Sequence, residues 1–465
     1  MQRLLPLPLS LPLFNVASSR AIEAAALAGL PVDALMERAG LAVARLALAL
    51  QPGAGTIWVA CGPGNNGGDG RIAARLLQAQ GRRVSIGLTP PADCCLAIDA
   101  LLGLGLNRTP DAAMAAAITA LNSLTVPVLA VDLPSGLLAD SGALAGAEAV
   151  RATHTLCLLS LKPGLFTAQG RAHAGTIWFD DLAIAPARRG DAGLLGRDCL
   201  AELAGPDHAA HKGSQGDVLV IGGAPGMRGA ARLAARAALA AGAGRVYLHL
   251  LGEPVEEADP ARAELMLAVR CEPQDLAGKT VAIGCGGGQQ GLAEPLAAAL
   301  RHAPRLIVDA DALNAIAASP ALQQLLRQRA PLSSVLTPHP LEAARLLGTD
   351  TARVQADRLD AAQALAERCA ATIVLKGSGS VIASPGRRPQ LCSSGSAALA
   401  SAGSGDVLAG WIAGLWAPRP AIEPHLLAGA ASFWHGLAGE QQAAGPLRAG
   451  DLIERMHALH APPED

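Results

Sequence analysis

Short apolar runs that end in glycine-rich turns recur along this chain of 465 residues. Residues 56–60 lead into the turn 62–70, which holds five glycines, two asparagines and an aspartate, and residues 218–221 lead into the turn 222–229. A pattern with helical spacing follows each turn. Because a buried strand, a tight turn and a helix make one α/β unit, their alternation predicts doubly wound parallel sheets.

The length of the chain predicts two such α/β domains, because it exceeds what one ordinary hydrophobic core accommodates. Segment 186–193 is polar and rich in turn residues. We place the domain boundary there, with an N-terminal domain at 1–190 and a C-terminal domain at 200–465.

Composition and charge exclude several classes of partner. The formal net charge is −2, and one tyrosine, four phenylalanines and five tryptophans offer few rings for base stacking, so no nucleic-acid partner is expected. No uncharged apolar run reaches the roughly 18 residues that span a bilayer, and prolines at 6, 8 and 12 interrupt the apolar N-terminus. The nine cysteines include no C-x-x-C pair, which favours a reducing compartment, and we expect a cytoplasmic protein.

Polar residues follow three consecutive predicted strands of the first half. Asp69 lies in the turn after the first strand, and Asp99 and Asp132 end the next two. The carboxyl ends of parallel strands line one crevice, so these residues should converge there with Asn66 and Ser135. Their oxygens suit a hard cation or a polar ligand. A loop cap would account for any one of these aspartates, and a structural turn for the glycine run, so both alternatives stay open.

The second half carries two glycine-rich segments that predict a phosphate site. Lys376 follows a predicted buried strand and opens the loop 376–380, and the turn 401–406 leads into apolar residues with helical spacing from 407. A helix N-terminus suits phosphate because of its unpaired amides and its dipole. Asp406 stands at this place either as a helix N-cap or as a participant in phosphoryl transfer. His339, between two prolines at another strand end, is either structural or part of the same site.

The first half resembles the NAD(P)H-hydrate epimerase domain over about residues 15–185. The motifs that carry the resemblance are residues 35–40, 62–70, 99–105 and 131–136. It implies that Asp132 lies at the reacting ring as a catalytic residue and that Asn66, Asp99 and Ser135 hold a potassium ion. Arg71 departs from the family, which usually has an aromatic residue there. The residues implied to contact the hydrated dinucleotide are Asn65, Asn66, Gly67, Gly68, Asp69, Gly103, Leu104, Gly105, Leu106, Asn107, Arg108 and Thr109.

The second half, about residues 200–460, resembles the ADP- or ATP-dependent NAD(P)H-hydrate dehydratase of the ribokinase-like superfamily. Asp406 is implied to be catalytic, acting at the reacting hydroxyl. Cys285 and Gly287 stand where the family tends to have Pro and Leu, and Ser396 and Ala402 where Asn and Gly are usual. The residues implied to hold hydrated NAD(P)H are Ala230, Gly286, Gly288, His339 and Asp406. Those implied to contact ADP or ATP, with magnesium, are Lys376, Gly377, Ser378, Gly379, Ser380 and Gly405.

Together the two resemblances imply an α/β enzyme with a Rossmann-like epimerase domain and a ribokinase-like dehydratase domain. The expected function is repair of hydrated NADH and NADPH, by interconversion of the R and S hydrates and nucleotide-dependent dehydration of the S hydrate. A homo-oligomer is expected, without a membrane partner. The alternative is a ribokinase-like kinase of a vitamin precursor fused to a ligand-binding regulatory domain. The cluster of Asn66, Asp99 and Asp132 argues against a vitamin kinase, which has no reason to carry it.

Overall fold

The structure is a computed structural model that describes residues 1–185, 188–203, 205, 207–252, 259, 261–268, 271–442 and 445–460. The chain divides into two compact units. The first comprises Met1–Leu7 and Leu11–Leu194, and the second comprises Pro8–Ser10 and Leu195–Asp465. The predicted boundary segment 186–193 includes Pro186 and Ala187, which lie outside the described residues, and the domain limits 1–190 and 200–465 stay predictions. Among the described residues, no helix is long and apolar enough to cross a membrane.

The first unit is built on a twisted sheet with helices against both faces. Its strands follow the order β1-β8-β7-β6-β5-β3-β4, and they run parallel apart from β1, which pairs antiparallel with β8. Strands β2 and β9 pair antiparallel with each other. The strands are β1 Gln2–Arg3, β2 Leu11–Leu13, β3 Thr56–Cys61, β4 Arg83–Ile86, β5 Cys94–Ala100, β6 Val128–Val131, β7 His154–Leu158, β8 Thr176–Asp180 and β9 Ala192–Leu195. The helices are α1 Val16–Ala28, α2 Ala34–Leu50, α3 Asn65–Ala79, α4 Ala112–Asn122 and α5 Gly170–His173, with a short 3-10 helix at Pro163–Leu165.

Strand β3 is apolar from residue 57 to residue 60 because it is buried on both faces. Ile57 and Val59 face a core that includes residues of α2 and α3, whereas Trp58 and Ala60 face a second core formed with α4. All four side chains are fully buried. The short continuous apolar run in the sequence is therefore that of a central parallel strand, whose side chains alternate between two buried surfaces.

The second unit is also doubly wound. Its strands follow the order β12-β11-β10-β13-β14-β15-β16-β17-β18, parallel up to β16 and antiparallel from there. The strands are β10 Asp217–Gly222, β11 Arg245–Leu250, β12 Met266–Leu267, β13 Thr280–Ile283, β14 Arg305–Val308, β15 Ser334–Leu336, β16 Thr372–Leu375, β17 Val381–Ala383 and β18 Gln390–Cys392. The helices are α6 Arg228–Ala240, α7 Pro273–Leu276, α8 Ala293–His302, α9 Asp311–Ala318, α10 Pro320–Arg327, α11 Pro340–Leu347, α12 Thr351–Ala356, α13 Arg358–Cys369, α14 Ser404–Trp416, α15 Pro424–Glu440 and α16 Ala449–Ala458, with 3-10 helices at Arg197–Leu203 and Ala397–Leu399.

Helix α14 packs very closely against α6, and glycines allow the approach. A Cβ on Gly410 would lie 2.0 Å from the carbonyl oxygen of Ala234, and one on Gly414 would lie 2.3 Å from that of Ala238. Any larger residue at either position would push the helices apart. The small residues therefore fix where the N-terminus of α14 lies relative to the sheet, which matters because Asp406 is in its first turn.

The α/β fold class predicted from the sequence is confirmed, and the predicted strands at 56–60, 218–221 and 306–309 correspond to β3, β10 and β14. Eight of the described strands were not predicted: β1 and β2 at the N-terminus, β4, β9, β11, β12, and the antiparallel strands β17 and β18. The last two have only three residues each, too few for a clear alternation pattern.

Candidate active sites

The first candidate site lies where the strand order of the first sheet reverses. Strand β3 has β4 on one side and β5 on the other, so the chain leaves β3 and β5 in opposite directions at their carboxyl ends, which is where doubly wound proteins bind ligands. The turn after β3 passes into α3, with Gly64 as N-cap. A Cβ on Gly67 would lie 1.9 Å from the carbonyl oxygen of Gly62, so this turn cannot accept a side chain there. Arg71 donates to that same carbonyl at 3.1 Å, so the residue that departs from the family holds the turn closed.

The predicted cation ligands Asn66, Asp99 and Ser135 surround the segment 101–103. The Ser135 hydroxyl donates to Asp99 Oδ1 at 2.6 Å, and the backbone amide of Ser135 donates to Asp99 Oδ2 at 2.8 Å. The same hydroxyl accepts from the amide of Leu102 at 2.8 Å. Asn66 adjoins the same segment, because a Cβ on Gly103 would lie 3.2 Å from its Cγ. Burial raises the pKa of Asp99 to about 6, against the lowering by its hydrogen bonds from Ser135 and Leu101.

Asn66 is the residue whose surroundings point to a ligand. Its side chain is buried, yet neither its Oδ1 nor its Nδ2 has a hydrogen-bond partner among the described residues. Leaving a buried amide unpaired costs about 1–3 kcal/mol, so such a group is normally satisfied by a ligand, an ion or water. An orphaned amide beside a buried carboxylate and a hydroxyl fits a monovalent or divalent cation.

Asp132 and Asp69 form the second part of this site. Asp132 has a left-handed backbone with φ 66°, and its carboxylate pairs with the ammonium group of the buried Lys162. Burial, and then the carboxylates of Asp132 and Glu23, raise the pKa of Asp69 to about 8. At neutral pH a largely neutral carboxyl therefore lies near an ion-paired one, an arrangement that separates a proton donor from a proton acceptor.

The loop that contains Gly103, Leu104, Gly105, Leu106, Asn107, Arg108 and Thr109 runs along the protein surface. Asn107, Arg108 and Thr109 are exposed, and the hydroxyl of Thr109 donates to the carbonyl of Ala145 at 3.0 Å. Only Gly103 lies against the buried cluster, next to Asn66.

The second candidate site centres on Asp309, which follows β14. Its Oδ1 accepts from Lys376 Nζ at 2.7 Å and from the hydroxyl of Thr337 at 2.7 Å, and the thiol of Cys285 lies 3.8 Å from its Oδ2. These residues follow the strands β13, β14, β15 and β16. Burial lowers the pKa of Lys376, but the carboxylates of Asp309 and Glu342 outweigh burial and raise it, so the side chain stays an ammonium ion.

Asp406 faces this cluster from the first turn of α14. The N-cap of that helix is Gly403, with φ 89°, and no side chain caps it. The alternative that Asp406 is an N-cap is therefore wrong, because the helix begins at Ser404 and not at 407. Burial, and then the carboxylate of Asp309, raise the pKa of Asp406 to about 6, while a hydrogen bond from Cys285 and the charge of Lys376 lower it.

The first turn of α14 also meets the lysine. A Cβ on Gly405 would lie 3.1 Å from Lys376 Nζ. Because the amides of a first helical turn have no intrahelical acceptor, they and the ammonium group together form a positive surface suited to phosphate oxygens. The half-buried His435 hydrogen-bonds to the Ser404 carbonyl at 3.0 Å, and burial lowers its pKa to about 4, so it holds this turn as a neutral imidazole.

Cys285, Asp309 and Asp406 are also a candidate metal-binding group, since one ligand atom from each lies within 4.8 Å of the others. The two carboxylates are hard oxygen ligands of the kind magnesium prefers, whereas a thiol suits softer metals. The pair of carboxylates therefore fits magnesium, and Cys285 contributes nothing to that preference.

The predicted substrate loop of the second site lies between α6 and α9. A Cβ on Gly286 would lie 2.9 Å from the Cβ of Ala230, and the amide of Gly288 donates to Asp311 at 2.8 Å. His339 is the N-cap of α11: its Nδ1 accepts from the amides of Leu341 and Glu342. Its side chain is nevertheless 47% exposed, so the ring both caps the helix and remains accessible.

The predicted nucleotide loop containing Gly377, Ser378, Gly379 and Ser380 rests on a buried arginine. Arg358 donates to the carbonyl oxygens of Leu375 and Lys376 at 3.1 and 3.2 Å, and burial lowers its pKa to about 10. A Cβ on Gly377 would lie 2.8 Å from this guanidinium group. The amide of Gly377 also lies 3.3 Å from the hydroxyl of Ser380, which closes the loop.

Comparison with known proteins identifies the family. The family model for NAD(P)H-hydrate dehydratase matches residues 218–457, and the model for the YjeF-related protein N-terminus matches 32–93 and 87–164. The bifunctional NAD(P)H-hydrate repair enzyme Nnr of Escherichia coli K12 is 35% identical over 95% of this chain and 92% of its own length. The chain belongs to the bifunctional NAD(P)H-hydrate repair enzymes.

Another repair enzyme, from Coxiella burnetii, is 36% identical over 92% of this chain and 95% of its own length. Among solved structures, a ribokinase-like superfamily protein of Enterococcus faecalis V583 matches 57% of this chain and 94% of its own, with 25% identity and a TM-score of 0.50. The family resemblance stated from the sequence is confirmed. The alternative of a vitamin-precursor kinase is not favoured by these relatives.

Several residues of this repair enzyme's two sites were not predicted from the sequence: Lys162, Cys285, Asp309, Glu342, Arg358 and His435. Asp309 ends a predicted strand and could have been found by the reasoning applied to Asp99 and Asp132. Lys162 and Arg358 carry no such signal, since Lys162 lies in an irregular segment and Arg358 begins a helix whose sequence looks solvated.

Proposed function

We propose that this chain repairs hydrated NADH and NADPH at two separate sites. The first unit interconverts the R and S hydrates, and the second dehydrates the S hydrate in a step that consumes ADP or ATP. The observation that carries this proposal is the presence of two different side-chain clusters in a chain that matches the repair enzymes along almost its whole length. One cluster is rich in oxygen atoms and contains an orphaned amide, and the other pairs a lysine with an aspartate at a helix N-terminus.

For dehydration we assign Asp406 as the general base. Its carboxylate accepts the proton of the substrate hydroxyl, the hydroxyl oxygen then bonds to the terminal phosphorus of the nucleotide, and the bond from that phosphorus to the leaving nucleotide oxygen breaks. The resulting phosphate ester loses phosphate, as the ring nitrogen lone pair helps to break the C–O bond and a neighbouring carbon then gives up a proton. Phosphate is a far better leaving group than hydroxide, which is why the reaction needs a nucleotide.

Lys376 and the amides of the first turn of α14, near Gly405, stabilise the negative charge that develops on the transferred phosphoryl group. Gly377, Ser378, Gly379 and Ser380 contact the nucleotide, and Ala230, Gly286, Gly288 and His339 hold the hydrated dinucleotide. Magnesium, when bound with the nucleotide, would supply further positive charge to its phosphates, held on the protein side by the Asp309 carboxylate.

For epimerisation we assign Asp132 to the reacting ring, and residues 65–69 at the start of α3 and the loop 103–109 to the rest of the dinucleotide. A potassium ion would be held by Asn66, Asp99 and Ser135, and the orphaned amide of Asn66 supports this assignment. The ion would contribute a fixed positive charge to this site. We also propose that the protein works in the cytoplasm as a homo-oligomer.

The test is incubation of the purified protein with hydrated NADH and either nucleotide while the absorbance of the reduced nicotinamide ring is followed. Recovery of absorbance that depends on the nucleotide supports the dehydratase assignment, and recovery from the R hydrate as well as the S hydrate supports the epimerase assignment. A kinase of a vitamin precursor would consume nucleotide only when given such an alcohol and would restore no absorbance.

A further inference from the structure

Lys162 is a buried lysine beside Asp132, and neither the sequence motifs nor the proposed mechanism accounts for it. Its side chain is 3% exposed, its ammonium group pairs with the Asp132 carboxylate at Oδ1, and it donates to the carbonyl of Leu158 at 2.7 Å. A lysine is almost never fully buried unless it is paired, because desolvating the ammonium ion costs several kcal/mol. The lysine is thus committed to Asp132 and to the end of β7.

The surroundings hold one carboxylate oxygen of Asp132 in place. The amide of Leu158 donates to Oδ1 at 3.2 Å, so two donors converge on that atom. Within the described residues, no hydrogen bond engages Oδ2. The backbone of Asp132 has φ 66° and is anchored by its amide, which donates to the Leu156 carbonyl at 2.8 Å. A non-glycine residue held in this conformation is characteristic of functional sites.

The thiol of Cys157 is another acidic neighbour of Lys162, and it does not compete for the charge. Burial raises the pKa of Cys157 to about 12, so the thiol stays neutral. Burial lowers the pKa of Lys162, but the Asp132 carboxylate outweighs burial and raises it, so Lys162 stays an ammonium ion. The carboxyls of Asp69 and Glu23 also act on this region.

We propose that Lys162 is a positioning residue for epimerisation: it fixes Oδ1 of Asp132 so that Oδ2 exchanges protons with the substrate. The proposal rests on the epimerase function proposed above. Inversion at the hydroxylated carbon requires its C–O bond to break and to re-form from the opposite face. One proton goes to the departing hydroxyl and one leaves the incoming water, so no net proton is consumed. A single carboxylate oxygen held in one orientation can serve both transfers.

The experiment compares the parent with Lys162→Met, Lys162→Arg and Lys162→Ala, and uses Lys212→Met, an exposed lysine in the second unit, as the matched control. The rate of R-to-S conversion is measured by chromatography, and nucleotide-dependent dehydration of pure S hydrate in the same preparation is the internal control. We expect Lys162→Met to lower kcat for epimerisation at least about tenfold with little change in KM, because Lys162 acts through Asp132. Dehydration and the Lys212→Met variant should match the parent.

Rescue separates positioning from a purely structural role. Lys162→Arg should recover part of the rate, and methylammonium should raise the rate of Lys162→Ala in a saturable way while acetamide does not. The proposal is overturned if Lys162→Met keeps more than about half of the parental kcat. A loss that small is well below the effect of disturbing a general acid or general base. The proposal is also overturned if methylammonium leaves the rate of Lys162→Ala unchanged. If the parent itself does not epimerise the hydrate, the proposed function fails instead.

Discussion

Asp406→Asn removes a carboxylate that faces Asp309 and Lys376. The substitution has opposite expected effects on catalysis and on stability, so the two can be measured separately. If Asp406 is the general base, its loss lowers turnover in dehydration by about 10²- to 10⁴-fold. Asparagine retains the shape, and because the side chain caps nothing, the helix loses no hydrogen bond. Epimerisation and nucleotide binding should stay close to those of the parent.

The same substitution should stabilise the protein above about pH 6. Burial first, and then Asp309, raise the pKa of Asp406 from 3.8 to about 6, so ionising this carboxyl costs more in the folded state than in the unfolded one. Its stabilising contribution is complete below about pH 4 and is lost as the pH rises through about 6. The difference between the two pKa values corresponds to at most roughly 3 kcal/mol of folding free energy. The Asn variant does not lose this stability at high pH, because its side chain carries no charge.

Two assays test this reasoning. Turnover on S-hydrated NADH is followed from pH 5 to pH 8, where the parent should lose about tenfold between pH 7 and pH 5 as a carboxyl of pKa 6 protonates. Urea unfolding of the second unit is compared for parent and variant at pH 4 and pH 8. Loss of a general base should lower turnover at least about 10²-fold. A variant that keeps more than about a tenth of the parental turnover would therefore refute the role of Asp406. A variant less stable than the parent at pH 8 would refute the electrostatic account.

Three further changes are predicted. Asn66→Ala should reduce epimerisation and its dependence on potassium while leaving dehydration of the S hydrate unchanged, and no effect of potassium on the parent would contradict the cation site. Lys376→Ala should weaken nucleotide binding more than binding of hydrated dinucleotide in separate calorimetric titrations, because an ammonium group acts as a point charge on phosphate; equal weakening of both would mean that it only holds the loop. Asp69→Asn should abolish the loss of stability that the first unit shows as the pH rises from about 4 to about 8, since burial raises the pKa of Asp69 to about 8; parallel curves of unfolding midpoint against pH would contradict this.

The sequence predicts the α/β architecture well because glycine turns and strand ends leave local signals. The turn 62–70, the strand end at Asp99 and the strand end at Asp132 are all visible in a few residues, and parallel topology then brings them together. The same logic extends to Asp309, which ends β14, although it was not assigned to the site.

Other features depend on contacts that no local pattern encodes. Lys162 lies 30 residues after Asp132 in an irregular segment, and only the fold brings the two side chains together. The side chain of Arg358 rests beneath the loop 376–380 although it belongs to the first turn of a helix with many polar residues. Helix α14 begins at Ser404, three residues before its first apolar residue, so the apolar spacing from 407 onward placed the helix start too late.

The central claim, two separable sites in one chain, is tested most directly by complementation. Pure R-hydrated NADH is given with ATP to Asp132→Asn, to Asp406→Asn, and to an equal mixture of the two, and the absorbance of the reduced ring and the R and S hydrates are followed together. The account predicts that Asp406→Asn produces the S hydrate without restoring absorbance, that Asp132→Asn restores it no faster than uncatalysed epimerisation allows, and that the mixture restores it at a rate near that of the parent. A mixture no faster than Asp132→Asn alone would contradict the assignment of epimerisation and dehydration to independent sites.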